Sequence, residues 1–209
     1  MSITEMLFSD SYFTVVRPGE GIYKDRGSKF LAFARPVKTE SEIKEHLQLL
    51  RKEHPSANHH CYAWRLGADK AAYRANDDGE PSNSAGKPIL AQLQSKDLTN
   101  VLVVVVRYFG GTLLGVSGLI NAYKNAAADV LSQSEIEEKF ILFEYKIEFD
   151  FYALSQVMRL LKEYEAKILS NAYEEKNQII FQVKKMYSEK LESKFGELYT
   201  TRLEFLNIA

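Results

Sequence analysis

Apolar positions along the chain recur with two different periods, and they predict alternating strands and helices. Between residues 12 and 36, β-branched and aromatic side chains fall into three short runs, 12–16, 21–23 and 29–36, parted by turn residues; these read as strands. Ile43, Leu47 and Leu50 then repeat at helical spacing behind Thr39 and Glu42, which are spaced as a capping box, and His54-Pro55 closes that helix. Residues 60–66 and 71–76 read as a strand pair joined at 67–70. A polar loop over 77–86 precedes a helix that opens near Lys87-Pro88, since proline suits a first helical turn, and runs to about Ser95. Residues 101–106 are apolar on both faces, the pattern of a strand covered on both sides. Gly110-Gly111 interrupts the chain, and 116–132 predicts a helix with Leu119, Ala122, Tyr123, Ala126 and Val130 on one side.

Beyond residue 139 the pattern changes. Ile141, Phe143, Tyr145, Ile147 and Phe149 alternate with Leu142, Glu144, Lys146 and Glu148, the period of a half-buried strand. Leu154, Val157, Leu161, Tyr164 and Ile168 mark a helix; strands are expected near 170–174 and 179–183. Leu191, Phe195 and Leu198 mark a second helix, and Leu203 and Phe205 a last strand. The order βαββαβ is that of a ferredoxin-like split unit. The expected fold class is α+β with two domains, residues 1–138 and 139–209, meeting in a short polar hinge at 135–139.

Composition narrows the function classes. The chain has 209 residues, 45% of them hydrophobic, enough for two small cores. Residues 1–138 hold 16 Lys+Arg against 17 Asp+Glu and residues 139–209 hold 11 against 11, so neither part is a polyanion binder by bulk charge. Cys61 is the one cysteine, which excludes an intramolecular disulfide and fits a reducing cytosol. The first residues carry Glu5 and Asp10 and lack the apolar run of a signal peptide. The longest aliphatic stretch, 101–106, falls far short of the ~20 residues a membrane span needs, so a cytoplasmic protein with no membrane partner is expected.

The strongest local chemistry is a strand, a glycine turn and a helix: Arg107, Gly110-Gly111, Gly115 and Gly118. Glycines let backbone N–H groups approach an anion, and a helix N-terminus favours one. Val116-Ser117 follows Gly115 where a P-loop has Lys and Ser or Thr, which disfavours triphosphate hydrolysis. The same glycines equally suit a tight turn packing a helix on a strand. Lys87 opposes its helix dipole by ~0.3–1 kcal/mol, which either a bound phosphate or a loop carboxylate (Asp77, Asp78 or Glu80) offsets. The candidate anion or ligand site is therefore Lys87, Arg107, Gly110, Gly111, Gly115 and Ser82, with Asp77, Asp78 and Glu80 beside it, any of which could instead pair with Arg107. Those carboxylates with His59 and His60 do not make a convincing metal set, because adjacent strand residues point to opposite faces and Asp-Asp-Gly-Glu-Pro is also a turn sequence. No nucleophile–base pair stands out. No catalytic residue, metal site or cofactor is assigned.

The blocks His59–Leu66, Asp77-Asp78-Gly79-Glu80-Pro81-Ser82, Ala85-Gly86-Lys87-Pro88-Ile89-Leu90, Leu98-Thr99-Asn100-Val101, Arg107-Tyr108-Phe109-Gly110-Gly111, Leu114-Gly115 and Gly118-Leu119 together resemble the signature of the YigZ/Impact family, in its two-domain bacterial form. Ser117 and Asn121 depart from it, standing where a glycine and a basic residue are common. The resemblance implies a first domain like the second domain of ribosomal protein S-five and a second domain like a late domain of elongation factor G. It implies a regulatory role around translation, since the eukaryotic Impact proteins act under stress through a large ribosome-associated partner. It supplies no agreed catalytic residues. The expected function is binding and regulation, engaging RNA, the ribosome or a ribosome-associated protein through an anion-accepting crevice; the competing reading is an enzyme acting on a small phosphorylated substrate there.

Overall fold

The computed structural model describes residues 9–173 and 177–208 and resolves into two compact units, Tyr12–Lys139 and, apart from it, residues 140–208 together with 9–11. In the first unit the strands are β1 (Ser11–Val15), β2 (Gly19–Asp25), β3 (Ser28–Pro36), β4 (His59–Leu66), β5 (Ala72–Asn76), β6 (Val101–Tyr108) and β7 (Ile136–Phe140). The helices are α1 (Glu40–Glu53), α2 (Gly86–Ser95) and α3 (Gly115–Gln133). Five strands form an antiparallel sheet in the order β2-β3-β6-β4-β5. β6 lies at its centre, and its side chains alternate between two cores. Val101, Val103 and Val105 pack with Phe30, Cys61 and the apolar sides of α2 and α3. Leu102, Val104 and Val106 pack on the other face with Trp64 and with Ile43 and Leu50 of α1. The continuous apolar run is thus the mark of a strand covered on both faces.

α1 begins as its sequence dictates: Thr39 Oγ1 accepts the Glu42 N–H at 3.2 Å, and the Glu42 carboxylate accepts the Lys38 N–H at 2.7 Å. It ends at His54, ahead of Pro55. The expected hinge at 135–139 is instead strand β7, paired with β1. Every residue of β7 is exposed, so it has no apolar period to betray it and is held by backbone pairing.

The second unit runs β8 (Leu142–Phe149), α4 (Leu154–Glu163), β9 (Lys167–Tyr173), β10 (Asn177–Lys184), α5 (Lys185–Gly196) and β11 (Thr201–Ile208), the βαββαβ order expected. Its antiparallel sheet has the order β11-β8-β10-β9, and Tyr145, Ile147, Phe149, Ile179, Phe181 and Val183 face the two helices. The outer face carries charges paired along the sheet, such as Lys146 with Glu148 and Glu204. Ile168 belongs to β9 and not to the preceding helix. The helix stops because Glu165 takes a positive φ of 54° and Ala166 N–H closes back on Leu161 O at 2.8 Å, a Schellman-type end. Residue 174, part of an expected strand, lies outside the described residues. No helix among those described is long and apolar enough to cross a membrane.

Candidate functional site

β6 delivers Arg107 to the α2/α3 face of the sheet, opposite His59 of β4 and Phe30 of β3 in register. The loop between β5 and α2 folds back over this end of the sheet and inserts Glu80. Arg107 Nη1 donates to Glu80 Oε1 at 2.6 Å, and the Tyr123 hydroxyl of α3 donates to the same oxygen at 2.7 Å. Arg107 is 6% exposed and Glu80 9%, so this is a buried ion pair. The guanidinium lies 5.6 Å from the ring centroids of both Phe30 and Phe109. Cys61 Sγ is within hydrogen-bond reach of Tyr123 Oη at 3.3 Å and of Asp77 O at 3.0 Å. Burial pushes both the Tyr123 phenol and the Cys61 thiol well above their usual ranges, so both stay protonated. Cys61 is a buried member of a hydrogen-bonded core, not a nucleophile.

Above this network lies a cleft of about 430 Å³. Its polar lining is His59, Glu80, Arg107 and Asn58, and its apolar walls include Phe109, Leu113, Leu114 and Val116. His59 Nδ1 faces the Asp78 carbonyl at 2.8 Å, which fixes the proton on Nδ1, while Nε2 stands 3.9 Å from Glu80 Oε1. Asn58 is spent on the glycine turn: its N–H donates to Arg107 O and its Oδ1 accepts the Phe109 N–H, both at 2.9 Å. The rim is apolar and open, with Leu113 82% exposed and Phe109 and Val116 also exposed.

The structure brings Arg107, Gly115 and Glu80 into this cleft. Lys87 does not line it and stands exposed on α2. Gly110 has no free N–H to offer a ligand, because that group donates to Ser28 Oγ at 3.2 Å. A side chain at Gly110 would stand 1.9 Å from the Gly27 carbonyl carbon, so glycine is required for the turn to touch the β2–β3 turn. Gly111 and Gly115 have open space around them and owe their identity to positive φ, 86° and 71°. Ser82 is exposed, and its hydroxyl accepts from Asn83 Nδ2 at 3.2 Å.

All three loop carboxylates are used by the chain itself. Asp77 accepts the N–H groups of Ala85 and Gly86 at 3.0 and 2.8 Å and that of Asn83 at 2.9 Å, closing the loop and capping α2. That anion at the helix start offsets Lys87. Asp78 pairs with Arg51 at 3.0 Å and accepts the His60 N–H at 2.6 Å. His59 and His60 do point to opposite faces of β4. Among the described residues no group of three or more His, Cys, Asp or Glu could hold a metal ion. The sequence pattern does not mark Tyr123, Leu113 or Val116 as site residues. Tyr123 was hidden by its place on an apolar helix side; Leu113-Leu114, two large apolar residues inside a glycine turn, carried the one available signal.

The model of the Impact N-terminal domain matches residues 26–131, which hold every residue of this cleft. The chain is 34% identical over 167 residues to the Escherichia coli protein named IMPACT family member YigZ, covering 79% of this chain and 82% of that one. It is 37% identical over 153 residues to the Bacillus subtilis IMPACT family member YvyE, covering 73% and 70%. A crystal structure of a hypothetical protein superposes with a TM-score of 0.74 at 29% identity, covering 96% of this chain and 99% of that one. On the domain match and on relatives similar over most of its length, the chain belongs to the IMPACT family.

Proposed function

We propose that this chain is a binding and regulatory protein of the translation apparatus, and that its cleft receives an apolar segment of a ribosome-associated protein. One observation carries the choice of partner: the cation at the cleft floor is neutralised by Glu80 at 2.6 Å, while walls and rim are apolar and exposed. Phosphate recognition needs cations not already paired, and Arg107 is paired. An apolar surface ringing a neutral floor favours a protein side chain, buried at roughly 25 cal/mol per Å². The exposed apolar rim supports docking in the same way. The translational setting is supported by family membership, through the regulatory role the resemblance implies. Binding rather than catalysis is supported by the protonated, buried state of Cys61 and Tyr123 and by the internal partners of the carboxylates.

The test is capture from a lysate on immobilised chain, with and without nuclease. The expected result is retention of a ribosome-associated protein that survives nuclease and is lost with Leu113→Asp, a change at an exposed position that leaves the core untouched. Retention that vanishes with nuclease, or that ignores Leu113→Asp, would overturn this reading.

A further inference from the structure

The second unit holds a groove of its own, independent of the cleft. It lies between α5 and the edge strand β11 and measures about 410 Å³, within the range of small-molecule sites. Tyr145 and Phe195, both buried, form its floor. Phe205 stands over them 50% exposed, its ring 5.5 Å from that of Tyr145 and inclined at 73°. Glu192 reaches across from α5 and accepts a hydrogen bond from the Tyr145 hydroxyl. That phenol is pushed up by burial and by its contact with Glu192, so it stays a neutral donor.

Tyr145 is therefore a neutral partner, and among the described residues the Glu192 carboxylate has no ion pair. Among the described residues no Lys or Arg lines the groove. A carboxylate without a counter-ion beside an exposed aromatic face selects for one ligand chemistry. An anion would be repelled by Glu192. Glu192 is itself exposed, and a neutral apolar group seated here would displace water from its carboxylate without replacing those contacts. A primary ammonium on an alkyl stem satisfies both walls, with its charge at Glu192 and its methylenes and cationic edge on Phe205.

We propose that this groove is a binding site for an organic ammonium group, supplied by a lysine side chain or by a small free amine. The experiment titrates the isotope-labelled full chain at neutral pH and low salt with n-butylammonium, with n-butanol as the uncharged match. The amide resonances of Gly196, Thr201 and Phe205 should move saturably with n-butylammonium and stay still with n-butanol. Glu192→Gln keeps the oxygen that accepts from Tyr145 and removes the charge; it should weaken binding roughly two- to fivefold. Phe205→Leu should weaken it roughly threefold or more, with the remaining spectrum unchanged as the check on folding. A capped Gly-Lys-Gly peptide separates the sources: tighter binding than n-butylammonium assigns the groove to a protein lysine, and equal or weaker binding assigns it to a free amine. Absence of saturable shifts, an equal response to n-butanol, or unchanged affinity in Glu192→Gln would overturn the proposal.

Discussion

Removing the Glu80 carboxylate leaves the Arg107 guanidinium buried beside no opposite charge, which should cost about 3–5 kcal/mol in chemical denaturation of Glu80→Ala. Glu80→Ala combined with Arg107→Met should recover much of that loss, because the second change removes the stranded charge. A single mutant as stable as wild type would show that the pair is not buried as described. Both residues were legible in the sequence as a loop carboxylate and a strand-end cation. Their pairing was legible only as one of three, since Asp77, Asp78 or Glu80 could each meet Arg107; that it is Glu80 depends on how the loop folds back across the sheet. A second residue-scale expectation concerns His60. Burial lowers its imidazole below the ordinary value, with Asp78 opposing and Arg51 and His54 adding to the shift, and its Nε2 is buried without a partner. The unfolded chain therefore takes up this proton at a higher pH than the folded one. The stability due to neutral His60 is complete above the ordinary imidazole range and is lost as pH falls below it. Melting temperatures measured from neutral to mildly acidic pH should drop less steeply in His60→Phe than in wild type; identical slopes would remove His60 as a cause.

At the scale of elements, α2 depends on a residue outside it. Ala85 at its N-cap position provides no side-chain hydrogen bond, and Asp77 supplies the capping oxygen from across the loop. Asp77→Ala should cost about 1–2 kcal/mol, seen in equilibrium unfolding, and Asp77→Asn less because an acceptor oxygen survives. Equal losses in the two variants would show that charge, not the acceptor, holds the loop. Most elements were legible because their periods are driven by burial: β6, α1, α3 and β8 each present the pattern their environment demands. Two failed for definable reasons. The apolar spacing through Ile168 continues past a backbone reversal at Glu165, and reversal is set by φ rather than by hydrophobicity. β7 has no buried side.

For the whole molecule, each unit is packed on its own: the first has a core on each face of its sheet, and the second has one core beneath two helices. Residues 1–139 and 140–209 expressed apart should each melt cooperatively by circular dichroism. The smaller fragment should be the less stable, because it buries a smaller share of its surface and loses the contacts of Ser9 and Asp10 with Lys185 and Ile141. Fragments that both remain unfolded would mean that the two units depend on one another to fold. The α+β class and the family were legible from pattern and motif together, whereas the charge of the crevice hung on whether a loop carboxylate meets Arg107, which the folding of that loop decides.

The proposed function turns on what touches Leu113, the most exposed apolar side chain at the cleft. A photo-cross-linking phenylalanine analogue at position 113, activated in living cells and followed by mass spectrometry, reads that contact directly. The result expected is a nuclease-resistant adduct to a ribosome-associated protein, absent when the analogue replaces exposed Tyr199 of the second unit. Adducts to RNA, or the same products from both positions, would contradict it.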